Sequence, residues 1–254
     1  NKSLVILPTE LISDNGTKLK DIVLKLAEHN KLGKEFMKWL ESNKFCNTLV
    51  DRIVPGKPDE IIMQKMEDEL GYRDELLVIA EIYRLWAIEG NEELKKILSF
   101  EQVDSGVVIA EDITLYKELK LRLLNGTHTL SRAVAFLSEM ETVCDAMEDP
   151  LIQEFISSLM RDNLAPAIPY PVDSGTALQF SEKVLDRFRN PQIRHQWLSI
   201  SVNYTMKLNM RVVPVLLCYY KNFNRVPKNI AFGFAAYLRF MRSEEIDGIF
   251  FWPL

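Results

Sequence analysis

Phosphate-cradling glycines are missing from this sequence. Its ten glycines are scattered over 254 residues, and none forms GxGxxG or the phosphate loop GxxxxGKS/T. No nucleotide-binding domain is therefore expected within it. Cysteine is scarce. Cys46, Cys144 and Cys218 are odd in number and far apart, with no CxxC pair and no zinc spacing to the three histidines. This excludes a disulfide framework and points to a reducing, cytoplasmic compartment. No apolar run approaches the roughly 18–20 residues of a membrane span, and no dense Lys/Arg stripe stands out against a net charge of −5, so neither membrane nor nucleic acid is expected as a partner. HExxH, a Ser-His-Asp order and a nucleophilic cysteine motif are absent too, and no spacing asks for a metal. The chain opens at Asn1 without an initiator methionine or signal peptide, as an excised piece would.

What is present is a globular composition, 47% hydrophobic and 26% charged, sufficient for a sizeable core. Helical periodicity dominates. Leu19, Ile22, Val23 and Leu26 share one face after a Thr17 cap, and Phe36, Trp39 and Leu40 follow a start near Gly33. Glu60–Leu70, Leu151–Arg161, Ala177–Phe188, Gln192–Ser201 and Ile230–Met241 also read as helices. Val103–Asp112 is rich in β-branched residues, and Leu76–Glu89 is ambiguous between strand and helix; together they form a small sheet. Ala165–Gly175, with three prolines, reads as an extended connector. The fold class expected is mainly α, a multi-helix domain with a small β element.

Three constellations carry chemistry. Lys120, Asn125 and His128 fall at about 0°, 140° and 80° on a helical wheel, within one half of a helix. A lysine can exchange a proton with a carbonyl or alcohol oxygen while an amide and an imidazole orient it. A base with a pKa near 10.4 needs burial or a neighbouring cation for this at neutral pH, and Arg122 and Lys117 are the nearest cations in sequence. The bland alternative is a solvated lysine beside an Asn125-Gly126 turn. Asp51-Arg52 lies in an apolar run, as a functional charge or as an ion network that fixes a loop. Lys207 and Arg211, at i and i+4, share a helical face and suit a substrate carboxylate, or else form a solvated basic face beside a satisfied core histidine, His195.

At these segments the sequence resembles the mannitol dehydrogenase family of long-chain polyol and sugar-acid dehydrogenases. Lys120, Asn125 and His128 match its signature Lys-x4-Asn-x2-His, and Val50–Ile53 its VDRI hallmark. FCNTLVDRIVPG at Phe45–Gly56, LWAIEG at Leu85–Gly90, RNPQIRHQW at Arg189–Trp197 and LPTELISDNG at Leu7–Gly16 resemble its tagaturonate reductase branch. The resemblance implies that residues 1–254 are the helical C-terminal catalytic and substrate domain, and that the Rossmann domain binding most of the NAD is absent from this chain. It implies an NAD-dependent, metal-independent interconversion of D-altronate and D-tagaturonate. Lys120 would be the general acid/base, Asn125 and His128 would bind the reacting oxygen, and Val50 and Asp51 would line the pocket of a sugar-acid substrate. Two positions depart from the family pattern. Leu11 stands where relatives have a second oxyanion-stabilising asparagine, with Glu10 and Asn15 as local substitutes. Lys117, beside Glu118, stands where some relatives have a glutamate. The rival readings are a fructuronate reductase, a mannitol-type polyol dehydrogenase, and a non-catalytic helical interaction module.

Overall fold

The computed structural model describes residues 2–242, 244–246 and 249–251. It is mainly helical with a few short strands, and no described helix is long and apolar enough to cross a membrane. The 254 residues, expected from sequence as one domain, divide into two compact units: residues 1–52 with 82–117, and residues 53–81 with 118–254.

The first unit is built on a three-stranded sheet. Leu85–Glu89 lies at its centre, antiparallel to Thr48–Asp51 and parallel to Val107–Ala110. Strand periodicity sends alternate side chains to opposite faces. Ile88 accordingly packs with Cys46, Leu94 and Ile109, whereas Leu85 and Ala87 pack with Ile113. The strand within Val103–Asp112 is limited to Val107–Ala110 because Asp104 accepts the Gly106 N–H at 2.8 Å and makes a turn. A second, two-residue parallel pairing joins Val5–Ile6 to Lys44–Phe45. The helix Asn15–His29 starts two residues before the expected Thr17 cap, and the Asn47 side chain takes the Thr17 N–H at 3.0 Å.

Among its described residues the second unit is helix, turn and loop apart from two isolated bridges, Gly56 with Ile79 and Thr142 with Gln196, and the short pairing of Glu244–Ile246 with Ile249–Phe251. Its hub is Asn125–Leu137, buried from Gly126 to Ala135 without a break. A helix buried on every side needs close approach by its neighbours. Lys228–Phe240, Tyr204–Arg211 and Pro150–Ser158 pack around it. Gly233 permits the first approach, since a Cβ there would lie 2.9 Å from Leu130 Cδ2 and 3.2 Å from the Leu130 carbonyl oxygen. Ser174–Phe188 begins earlier than the apolar stripe, capped by Asp173, which accepts the Thr176 N–H at 2.9 Å.

Gln192–Ser201 is not the helix its periodicity predicts. Only Leu198–Ser201 winds, as a single 3₁₀ turn. Upstream the backbone pairs elsewhere: Val143 N–H donates to the His195 carbonyl at 2.9 Å and Trp197 N–H to the Glu141 carbonyl at 3.1 Å. Trp197 is fully buried, so tertiary packing overrides local preference. Similarly, Leu76–Arg84 is irregular, and only Leu85–Glu89 of that ambiguous stretch becomes strand.

Candidate active site

Lys120 opens a π-helical turn, Lys120–Leu124, inserted between the α-helices Thr114–Leu119 and Asn125–Leu137. The Asn125 N–H donates to the Lys120 carbonyl, the i→i+5 bond that defines such a turn. This changes the wheel. One residue is absorbed by the bulge, so Asn125 and His128 follow Lys120 as i+4 and i+7 would in a regular helix, within about 60° rather than 140°. The Lys-x4-Asn-x2-His spacing is the one that a π-turn aligns. Lys120 and Asn125 are half-buried and His128 is buried.

The turn is anchored by Arg122. Its guanidinium is buried, gripping the Glu118 carboxylate through Nε at 2.8 Å and Nη2 at 3.3 Å. Its Nη1 donates to the carbonyls of Met210 at 2.6 Å and Arg211 at 3.1 Å. Arg122 therefore caps the end of Tyr204–Arg211 and fixes that helix against the π-turn. Lys117 is paired with Asp14 at 2.9 Å. The two cations expected to bias Lys120 are thus both committed to carboxylates.

Other cations converge on His128. Its ring stacks on Phe188, with centroids 4.4 Å apart, and meets His195 edge-on at 5.2 Å. Burial pushes the His128 imidazole well below its usual pKa, and His195, Arg187, Arg211 and Lys207 push it further. Burial and then Lys207 lower His195 as well. Both shifts favour the neutral ring. The Nε2 of His128, the Nδ1 of His195 and the Nε of Arg211 are buried, with no hydrogen-bond partner among the described residues.

Lys207 and Arg211 do share a helix face. Lys207 Nζ donates to the Ile200 carbonyl at 2.9 Å, and Arg211 Nη1 to the Thr129 hydroxyl at 3.2 Å. Thr129 in turn donates to the Asn125 carbonyl at 2.7 Å, tying Arg211 to the π-turn. Among the described residues neither cation meets a carboxylate. Burial lowers both pKa values, and Arg211 and Arg132 lower Lys207 further.

Arg187 shows the contrast. It forms a buried, bidentate pair with Glu81, through Nε at 3.0 Å and Nη2 at 2.7 Å, and Glu81 also accepts the Ile53 N–H at 2.6 Å. Thr129, Arg187, Glu81 and His195 were not among the site residues expected from sequence. Only His195 carried a signal, as a lone imidazole near Lys207.

In the first unit, Asp51 ends the strand Thr48–Asp51 and is buried, while Val50 is half-buried beside it. Leu11 is 81% exposed. Asn15 does not stand in for the missing amide, because its own hydrogen bonds are saturated. Its Nδ2 donates to the Pro8 and Glu10 carbonyls at 3.0 and 3.1 Å, and its Oδ1 accepts the Gly16 and Thr48 N–H groups, both at 2.9 Å.

Residues 112–251 match the family model described as the mannitol dehydrogenase C-terminal domain, and residues 1–102 match the mannitol dehydrogenase Rossmann domain. The chain belongs to the mannitol dehydrogenase family. Altronate oxidoreductase of Yersinia enterocolitica is 42% identical over 98% of this chain and 51% of its own length. Altronate oxidoreductase of Bacillus subtilis is 40% identical over 96% of this chain and 50% of its own length. The chain thus spans about half the length of the curated relatives it matches. A solved D-sorbitol dehydrogenase, in substrate-free form, superposes with a TM-score of 0.75 at 26% identity, covering 94% of this chain and 48% of that one. Pseudomonas fluorescens mannitol 2-dehydrogenase, solved as a ternary complex with NAD and D-mannitol, shares the fold with a TM-score of 0.66 at 24% identity, over 94% of this chain and 47% of that one. The family matches meet between residues 102 and 112, whereas from sequence residues 1–254 were expected to be the C-terminal domain alone, with the Rossmann domain absent.

Proposed function

We propose that the intact protein carrying this chain is an NAD-dependent sugar-acid dehydrogenase that interconverts D-altronate and D-tagaturonate. The observation that carries the proposal is the Lys207–Arg211 pair beside neutral His128, two cations on one helix face with no described carboxylate to satisfy them. A uronate carboxylate supplies what they lack, through charge-assisted hydrogen bonds that a hydroxymethyl group does not make. The names of the relatives most similar in sequence agree with that substrate class.

In this reading Lys120 exchanges the proton of the reacting oxygen, while Asn125 and His128 hold that oxygen and stabilise its charge. A neutral His128 donates a hydrogen bond without becoming a competing acid, as its depressed pKa requires. NAD supplies or accepts the hydride. Residues 1–102 match the Rossmann family model, but the sequence holds no GxGxxG run to cradle the pyrophosphate. At the turn between the parallel strands Leu85–Glu89 and Val107–Ala110, a Cβ on Gly90 would collide with Leu94, so that glycine serves packing. The Asn91 side chain already accepts the Leu94 N–H at 3.2 Å. The dinucleotide is proposed to be held mainly outside this chain, with residues 1–102 supplying only part of its Rossmann domain.

The test is turnover by the intact protein of D-tagaturonate, D-fructuronate and a neutral ketose with NADH. A strong preference for D-tagaturonate supports the proposal, and turnover confined to the neutral sugar refutes it.

A further inference from the structure

The His128 ring has a second imidazole against its edge, and the proposed proton transfer makes no use of it. His195 is held there firmly. Its carbonyl accepts the Val143 N–H at 2.9 Å, its own N–H donates to the Ile193 carbonyl at 2.9 Å, and the fully buried Trp197 follows two residues later. The ring stands at 85° to His128, with centroids 5.2 Å apart. Its Nδ1 is buried and has no partner among the described residues. A buried ring nitrogen left unpaired is costly, and such an atom normally meets a water or a ligand. Its neighbours define what that ligand is. Arg211 Nε and His128 Nε2 are buried and unpartnered in the same way, and Lys207 is close enough to lower the charge affinity of His195.

We propose that His195 is a substrate-binding residue of this site, its Nδ1 holding a hydroxyl of the sugar chain between the reacting oxygen and the carboxylate. A carboxylate belongs with the two cations, which bind it more strongly than a neutral ring does. A hydroxyl both donates and accepts, so it satisfies Nδ1 in either tautomer. The inference rests on the sugar-acid reading only for the placement of the carboxylate, because hydroxyls are common to acids and neutral sugars.

The experiment compares His195→Gln and His195→Asn in the intact enzyme, with KM and kcat measured on a hexuronate and a neutral ketose. An asparagine amide lies where Nδ1 lies, whereas a glutamine amide reaches to the position of Nε2. His195→Gln should raise KM roughly tenfold on either substrate while kcat moves little, the size of one lost hydrogen bond, and His195→Asn should recover at least threefold of that loss. Equal loss in both variants, no loss in either, or better retention by Gln overturns the proposal. A wild-type enzyme that prefers the neutral ketose defeats the sugar-acid reading alone, since the ordering of the two variants is unaffected.

Discussion

Replacing Arg211 with alanine removes one of the two cations proposed to hold the substrate carboxylate. Arg211 donates to Thr129 through Nη1, keeps a buried, unpartnered Nε, and meets no described carboxylate. Losing one partner of a desolvated charge costs about 2–5 kcal/mol. The side chain is only half-buried, and Lys207 remains in place one turn away. The lower end applies, about 2 kcal/mol, or roughly 30-fold in kcat/KM at about 1.4 kcal/mol per tenfold. Thr129 keeps its bond to the Asn125 carbonyl, so the π-turn should survive. Steady-state kinetics on a hexuronate and on a neutral ketose of equal length provide the assay. The uronate should lose about 30-fold while the neutral sugar changes less than about threefold, because only the acid meets the lost charge. Arg211→Lys should recover part of the loss, since it keeps the charge without the planar fork. Equal losses on both substrates, or none on the uronate, would refute the clamp.

Arg187→Met strands a buried carboxylate at Glu81, 2% exposed, and should cost about 3–5 kcal/mol, while Glu81→Leu with Arg187→Met should regain most of it; thermal unfolding checks this, and a loss under about 1 kcal/mol would contradict it. The folded pKa values of His128 and His195 lie below the unfolded value, so below about pH 6.5 the unfolded chain binds protons that the folded one does not, and stability should fall with pH by up to about 1.4 kcal/mol per unit for each ring. Urea titrations between about pH 5 and 7 read this slope, which should flatten in a His128→Asn, His195→Asn double variant. Gly233→Ala brings a Cβ within 2.9 Å of Leu130 and should cost about 1–3 kcal/mol by overpacking the hub helix; an unchanged melting temperature would show that the helices part freely.

The helices with a clean apolar stripe were legible in the sequence. Glu60–Leu70 forms as its periodicity predicts, and Ser174–Phe188 and Lys228–Phe240 differ only at their ends, since a stripe fixes the buried face better than the cap. The strand Val107–Ala110 was legible from β-branched residues, whereas its partner Leu85–Glu89 lay in a stretch ambiguous between strand and helix. Gln192–Ser201 misleads because its backbone partners, Glu141 and Val143, lie some fifty residues away. The hub helix is buried on every side, a burial set by the helices packed around it rather than by its own apolar pattern. At the site, residue types and spacing single out Lys120, Asn125 and His128. The π-turn that aligns them has no signature in a 3.6-residue period. The Glu81–Arg187 pair spans 106 residues, a contact that only tertiary structure creates.

The central claim is that Lys120, opening the π-turn in line with Asn125 and His128, transfers the proton of the reacting oxygen. The direct measurement is kcat for Lys120→Ala in the intact enzyme, alongside its melting temperature. A positioned acid/base contributes roughly 10²–10⁴-fold, so kcat should fall by that factor while the protein melts as wild type does. Turnover at the wild-type rate in the folded variant would contradict the account.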